Sequence, residues 1–147
     1  MTLELFLPIA IAGVLATYCH LVGGLWLKSL GLPPLDLSRA MADYTYGDSF
    51  AEPPSYWAGQ IVIYFNGVVF ALFYATVAGP FLPGPGVLSG VIFGLILFLL
   101  SGLLFSPIFI DKGLFLVKVH ERAWISALII HLVWGVVLGW LCPILTW

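Results

Sequence analysis

Four polar residues lie deep inside four long apolar stretches of this chain, and they are the residues that say most about its function. They are His20, Asn66, Ser101 and His131, one in each stretch. Counted from corresponding ends, each lies about eight to ten residues inside its stretch, which is roughly 12–15 Å along a helix. Because polar groups are costly to bury in apolar surroundings, we predict that the four form one shared polar layer.

Three kinds of chemistry fit such a layer. The first is structural: side chains that hydrogen-bond between helices, at about 0.6–2 kcal/mol each. The second is cofactor binding, because two imidazoles on different helices can ligate a haem iron axially, and His20 and His131 would then hold haem b. The third is a path for protons, ions or quinone, although no Asp or Glu lies at that depth.

The stretches that carry this layer predict the fold. The chain of 147 residues is 62% hydrophobic and only 8% charged, whereas a soluble domain carries about 25% charged residues. A helix needs about 20 apolar residues to cross a bilayer, and each stretch has that length. We therefore predict an all-α integral membrane protein, a single domain over residues 1–147, with four transmembrane helices in an antiparallel bundle. The predicted helices cover residues 4–28, 56–80, 86–110 and 122–146.

The basic residues predict an orientation. Four crossings place the first and third connections on one side of the membrane, and all five Lys and Arg residues lie in these two connections. By the positive-inside rule this side is cytoplasmic. The sequence thus predicts a multi-pass protein of a bacterial cytoplasmic (inner) membrane with both termini periplasmic. The five residues are Lys28, Arg39, Lys112, Lys118 and Arg122.

The first connection is long enough to hold a helix of its own. A Gly-Leu-Pro-Pro sequence stops the first span, and Asp36 can cap a new helix. Leu37, Met41 and Tyr44 then share one face at helical spacing. This pattern predicts a short helix near residues 36–44 that lies on the cytoplasmic interface. It would serve either as an anchor or as a docking surface for a partner.

Each span also carries a pair of small residues four positions apart. Such pairs let helix backbones approach closely in a membrane, where no hydrophobic drive brings helices together. They predict tight packing within the bundle, and the alternative is that some of these faces bind another subunit or a flat cofactor. The pairs are Gly13/Thr17, Gly67/Ala71, Gly90/Gly94 and Gly135/Gly139.

Five short segments carry a further signal. They are Gly13-Val-Leu-Ala-Thr17, Gly31-Leu-Pro-Pro-Leu-Asp36, Phe70-Ala-Leu-Phe-Tyr-Ala75, Gly90-x-x-x-Gly94 and His131-Leu-Val-Trp-Gly-Val-Val-Leu-Gly-Trp140. Over most of its length, the chain thereby resembles a family of small bacterial four-helix inner-membrane proteins of unknown function. The resemblance implies the four-helix fold and implies no reaction.

The pattern of residues indicates a non-enzymatic function. No nucleophile motif, phosphate loop or metal-ligand spacing occurs in the sequence, so we predict no enzyme activity and no metal, and nothing indicates nucleic-acid binding. The preferred hypothesis is a small accessory subunit that contacts membrane lipids and packs against integral membrane subunits of a larger complex, such as a respiratory or photosynthetic assembly. The alternatives are a haem-binding electron carrier that uses the two histidines and a small transporter or channel that uses the polar layer.

Overall fold

The structure, a computed structural model, describes residues 2–46 and 53–145, and this part of the chain is helical with no β-strand. Four of its helical segments are long and apolar enough to cross a membrane. The predicted all-α membrane bundle is therefore confirmed. The helices are α1 (Leu3–Trp26), α2 (Leu37–Tyr46), α3 (Pro53–Phe73), α4 (Gly86–Leu100) and α5 (Ala123–Leu141).

Three of the four spans continue beyond their α-helix in a different helical register. A 3₁₀ turn, Leu27–Leu30, extends α1, while a π-helical turn, Tyr74–Ala78, and a 3₁₀ turn, Gly79–Phe81, extend α3. The longest extension is the π-helical segment Ser101–Phe109 after α4. It includes Pro107, which has no N–H to donate to a helical hydrogen bond.

The last helix is shorter than predicted, because α5 ends at Leu141 rather than near residue 146. Proline disfavours a helical conformation in the residue before it, and Cys142, which precedes Pro143, is extended with ψ 124°. The chain then folds back on the π-helical turn that extends α3, where the Leu145 N–H donates to the Ala75 carbonyl oxygen. Residue 146, where the predicted span ends, and the following Trp147 lie outside the described residues.

Within the bundle, α1 packs against both α3 and α5, and α5 also packs against α4. The helices therefore follow one another around the bundle in the order α3, α1, α5, α4. Over the described residues, the two outermost members, α3 and α4, make no comparable contact. They approach each other at the end that carries the α3–α4 turn, here called the turn end, where the Phe93 ring lies 6.1 Å from Phe73 and 5.3 Å from Tyr74.

The predicted small residues lie where backbones touch. A Cβ atom added to Gly13 of α1 would lie 2.7 Å from the Gly67 carbonyl oxygen of α3, and one added to Gly94 of α4 would lie 2.5 Å from the His131 carbonyl oxygen of α5. Close contacts within the chain therefore occupy these faces, which leaves none of the six packing glycines free for another subunit or a flat cofactor. The six are Gly13, Gly67, Gly90, Gly94, Gly135 and Gly139.

The short helix α2 lies at the opposite end of the bundle, here called the basic end because it holds the first and third connections. Asp36 caps α2 as predicted, since its carboxylate accepts a hydrogen bond of 3.0 Å from the Arg39 N–H. Buried Met41 and Ala42 face inward. A Cβ atom on Gly59 of α3 would lie 2.9 Å from the Ala42 nitrogen, so α2 packs closely against α3.

The α4–α5 connection also folds back onto the bundle at the basic end. The Phe115 ring packs against Phe98, with 5.1 Å between the ring centroids. The Ser106 hydroxyl donates to the Gly113 carbonyl at 2.6 Å and accepts from the Leu116 N–H at 3.1 Å. These contacts hold the connection against the π-helical segment.

Candidate functional site: a cavity lined by the polar layer

A cavity of about 550 Å³ lies in the half of the bundle nearer the basic end. Its walls come from α1, α3, α5, the end of α4 and the π-helical segment that follows it, and α2 covers it. All four residues of the predicted polar layer, His20, Asn66, Ser101 and His131, line this one cavity. The divergence of α3 from α4 leaves the space, because the two helices that would otherwise fill it by packing together are held apart.

The two histidines face each other across the contact between α1 and α5. Their ring centroids are 5.0 Å apart and the rings meet edge to face at 61°. Both side chains are buried, each residue being only 8% exposed. The Nδ1 atom of His131 lies 2.7 Å from the Ala127 carbonyl oxygen, one turn earlier in α5. In contrast, the Nε2 atom of His20 is buried without a hydrogen-bond partner in the described part of the chain.

The hydrogen bond of His131 assigns the proton on its ring. A carbonyl oxygen can only accept a hydrogen bond, so Nδ1 of His131 is the donor. A neutral imidazole carries one N–H, which leaves Nε2 of the same ring as an acceptor. The layer therefore offers a hydrogen-bond acceptor from α5.

The other two polar residues occupy the walls formed by α3 and the π-helical segment. The amide nitrogen of Asn66 lies 3.9 Å from the Met41 sulfur atom, which links α3 to the covering helix α2. Ser101 is the first residue of the π-helical segment. Such departures from the α-helical register frequently occur at functional sites, and this one begins at the depth of the polar layer.

The structure adds two residues to the site that the predicted polar layer did not include. The indole N–H of Trp134 donates to the Thr17 hydroxyl oxygen at 3.3 Å, and both residues line the cavity. The signal was present in the spacing, because Thr17 lies three residues before His20 and Trp134 lies three residues after His131. Residues three apart share a helix face.

The turn half of the bundle is filled with side chains. Tyr74, Phe93 and Leu138 are buried together there. The Tyr74 hydroxyl is 2.5 Å from the Ser89 hydroxyl and 3.1 Å from the Gly86 carbonyl oxygen. The cavity is therefore bounded toward the turn end by a packed core, and its charged wall residues, such as Arg39 and Lys112, lie at the basic end.

The arrangement of the histidines does not fit axial ligation of a haem. Two axial imidazoles must stand on opposite faces of the macrocycle with the iron between them. Here His20 and His131 touch each other directly, and the Phe98 ring packs against His131 at 5.9 Å. No gap separates the two rings, so we derive no haem chemistry from this site.

The polar layer thus offers hydrogen bonds without permanent charge, whereas the charged residues of the cavity wall, Asp36, Arg39, Asp43 and Lys112, lie at the basic end. Residues 5–27, 56–110 and 123–145 contain no Asp, Glu, Lys or Arg, so the polar layer holds only imidazole, amide, hydroxyl and indole groups. These groups can hold and orient a polar head group inside an apolar cavity. In comparisons with protein-family models, curated proteins and solved structures, nothing matches this chain.

Proposed function

We propose that this protein binds a small, membrane-soluble molecule in the cavity beneath α2. The observation that carries the proposal is the buried Nε2 atom of His20, which has no partner in the described chain and belongs to a residue in the cavity wall. A buried polar atom without a partner costs about 1–3 kcal/mol. A ligand that hydrogen-bonds to it would recover that free energy on binding.

The size and position of the cavity support the same function. Small-molecule sites usually enclose about 300–1,000 Å³, are mainly apolar and occur between the helices of bundles. The cavity of about 550 Å³ lies within this range. Binding is better supported than a channel, because Tyr74 and Phe93 belong to a packed core on the path toward the turn end.

Native mass spectrometry of protein extracted from its own membrane in mild detergent tests this function. We expect the wild-type chain to carry one added small-molecule mass. Ser101→Phe, which places a ring in the cavity, should lose that mass. Leu103→Phe should retain it, because Leu103 is exposed and does not line the cavity. Wild-type protein without an added mass, or Ser101→Phe with the same mass, would contradict the proposal.

A second proposal is the accessory subunit predicted from the sequence. Its support is the outer face of α3, where Trp57, Ile61, Phe65 and Phe73 are exposed at intervals of four or eight residues. These side chains form one stripe along the helix that a neighbouring subunit could contact as well as lipid. Migration with a larger complex at fixed stoichiometry in the same extract would support this proposal, and migration alone would contradict it.

We further propose that the protein is located in a bacterial cytoplasmic membrane, because the chain resembles small bacterial membrane proteins. We propose that its basic end faces the cytoplasm, in accord with the positive-inside rule. In a chain with Cys19 and Cys142 replaced by alanine, a single cysteine is placed at Phe81, which is 85% exposed in the α3–α4 turn, or at Leu114, which is exposed at the basic end. We expect an impermeant thiol reagent to label Phe81→Cys in intact cells and Leu114→Cys only after lysis. The reverse pattern would invert the orientation.

A further inference from the structure

We propose that the ligand is a neutral lipophile with a terminal hydroxyl group, whose head contacts the polar layer and whose apolar chain leaves the bundle between α3 and α4. This inference rests on the proposed binding function and specifies its ligand class. It joins three observations: the hydrogen-bonding character of the histidines, the absence of charged residues from the spans at the depth of the polar layer, and an opening in the side of the bundle.

The histidines favour a hydroxyl head group. The ring of His131 presents Nε2 as an acceptor, because its Nδ1 already donates to Ala127. An acceptor needs a donor from the ligand, and an ether or ester oxygen cannot provide one. A hydroxyl group can donate to His131 and can also donate to or accept from the Nε2 atom of His20, which has no hydrogen-bond partner among the described residues.

The surroundings favour a head group without charge. At the depth of the polar layer the spans offer no counter-ion to an ion, since residues 56–110 contain no Asp, Glu, Lys or Arg and the same holds for residues 5–27 and 123–145. Moving an unpaired ion into an apolar medium is far more costly than moving a hydroxyl group that finds a hydrogen bond. The charged residues that line the cavity, Asp36, Arg39, Asp43 and Lys112, belong to the connections at the basic end and not to the spans.

The walls of the cavity favour an apolar chain that exits sideways. Phe70 of α3 and Leu100 at the end of α4 line the cavity, as does Leu104 of the π-helical segment. The same side chains are 41%, 48% and 48% exposed on the surface of the bundle. These three side chains therefore belong both to the cavity wall and to the outer surface of the bundle that contacts lipid.

The opening is confined to the middle of the bundle. At the turn end, Phe93 of α4 packs against Phe73 and Tyr74, and this contact closes the gap between α3 and α4. At the basic end, α2 fills the gap, because Tyr44 packs against Phe105 and Phe109 with 5.7 and 5.8 Å between the ring centroids. A lipid-soluble molecule can thus reach the cavity from the bilayer without crossing the charged surface.

Three probes that share one alkyl chain test the head group: hexadecan-1-ol, its methyl ether and hexadecyl sulfate. Purified wild-type protein in an amine-oxide detergent, which has no hydroxyl group, is titrated with each probe and the bound mass is measured. We expect one bound alcohol, and an ether that binds about 5- to 150-fold more weakly because it leaves the acceptor unpaired. The sulfate should bind more weakly still. An ether or sulfate that binds as tightly as the alcohol would overturn the inference.

Two variants test whether the preference for alcohol over ether arises at His131. His131→Phe keeps a ring in place and removes the acceptor, so it should abolish the preference for alcohol over ether. His120→Phe is the matched control, because His120 lies in the exposed α4–α5 connection away from the cavity wall, and it should keep the preference. A preference that survives in His131→Phe would contradict the assignment.

The outcomes also separate this inference from the proposed function. If the alcohol does not bind while protein from its own membrane carries a mass that Ser101→Phe loses, the cavity binds a ligand and the inferred head group is wrong. If neither the alcohol nor a mass from the membrane is found on the protein, the binding function and the inferred ligand class both fail.

Discussion

Replacing Gly90 by alanine is expected to lower the free energy of unfolding of the bundle by about 2 kcal/mol or more. A Cβ atom at this position in α4 would lie 2.6 Å from the Gly139 Cα atom and 2.7 Å from its nitrogen, both in the backbone of α5. Backbone atoms cannot move aside as a flexible side chain can, so the two helices must separate. The gain of up to about 1 kcal/mol in helix propensity on replacing glycine by alanine offsets only part of this cost.

Gly23→Ala provides the matched control for this prediction. Gly23 is also helical, but the nearest atom to an added Cβ there is an Ile130 methyl carbon at 3.8 Å, an ordinary contact. This variant should be as stable as the wild type or slightly more stable. Reversible unfolding in mixed micelles, followed by tryptophan fluorescence, measures both. Equal stability of Gly90→Ala and Gly23→Ala would show that the close α4–α5 contact contributes little.

Gly59→Ala is expected to act on the cavity rather than on the bundle. An added Cβ would lie 2.9 Å from the Ala42 nitrogen and 3.0 Å from its Cβ, and it would also overlap the Ser38 carbonyl oxygen. These atoms belong to α2, so the cover of the cavity must move away from α3. We expect ligand occupancy to fall at least tenfold, which corresponds to about 1.4 kcal/mol of binding free energy, while the four spans remain folded.

Two measurements distinguish movement of α2 from general unfolding. Native mass spectrometry gives the ligand occupancy, and limited trypsin digestion reports on α2, because a loosened α2 exposes the bond after Arg39. Gly23→Ala should behave like the wild type in both. If cleavage after Arg39 increases in Gly59→Ala while occupancy stays unchanged, α2 is not part of the binding site.

The four spans could be predicted from the sequence because each apolar stretch is long enough to cross a bilayer by itself. The common depth of the four polar residues could be predicted from the helical rise per residue. Helical rise is nearly constant, so counting residues to His20 and His131 gave comparable positions, and the structure brings these two rings to 5.0 Å. Their hydrogen-bonding role in ligand binding stays a prediction.

The arrangement of the helices could not be predicted in the same way. Each span carries small residues, and Gly67 could in principle pack against any of the other three helices. Only the three-dimensional structure shows that it meets Gly13 and that α3 diverges from α4. The π-helical segment Ser101–Phe109 and the covering role of α2 were missed for a related reason. Both depend on contacts between distant parts of the chain, which local periodicity does not encode.

The unequal lengths of the spans have a consequence for the membrane that suits this protein. The last span has 19 residues and the first has 28, which correspond to about 28 Å and 42 Å at the α-helical rise. A hydrocarbon layer of about 30 Å therefore matches α5 when upright and obliges the first span to tilt or to protrude. Thicker bilayers would create hydrophobic mismatch at α5 first, so the protein should partition into the thinner regions of a membrane.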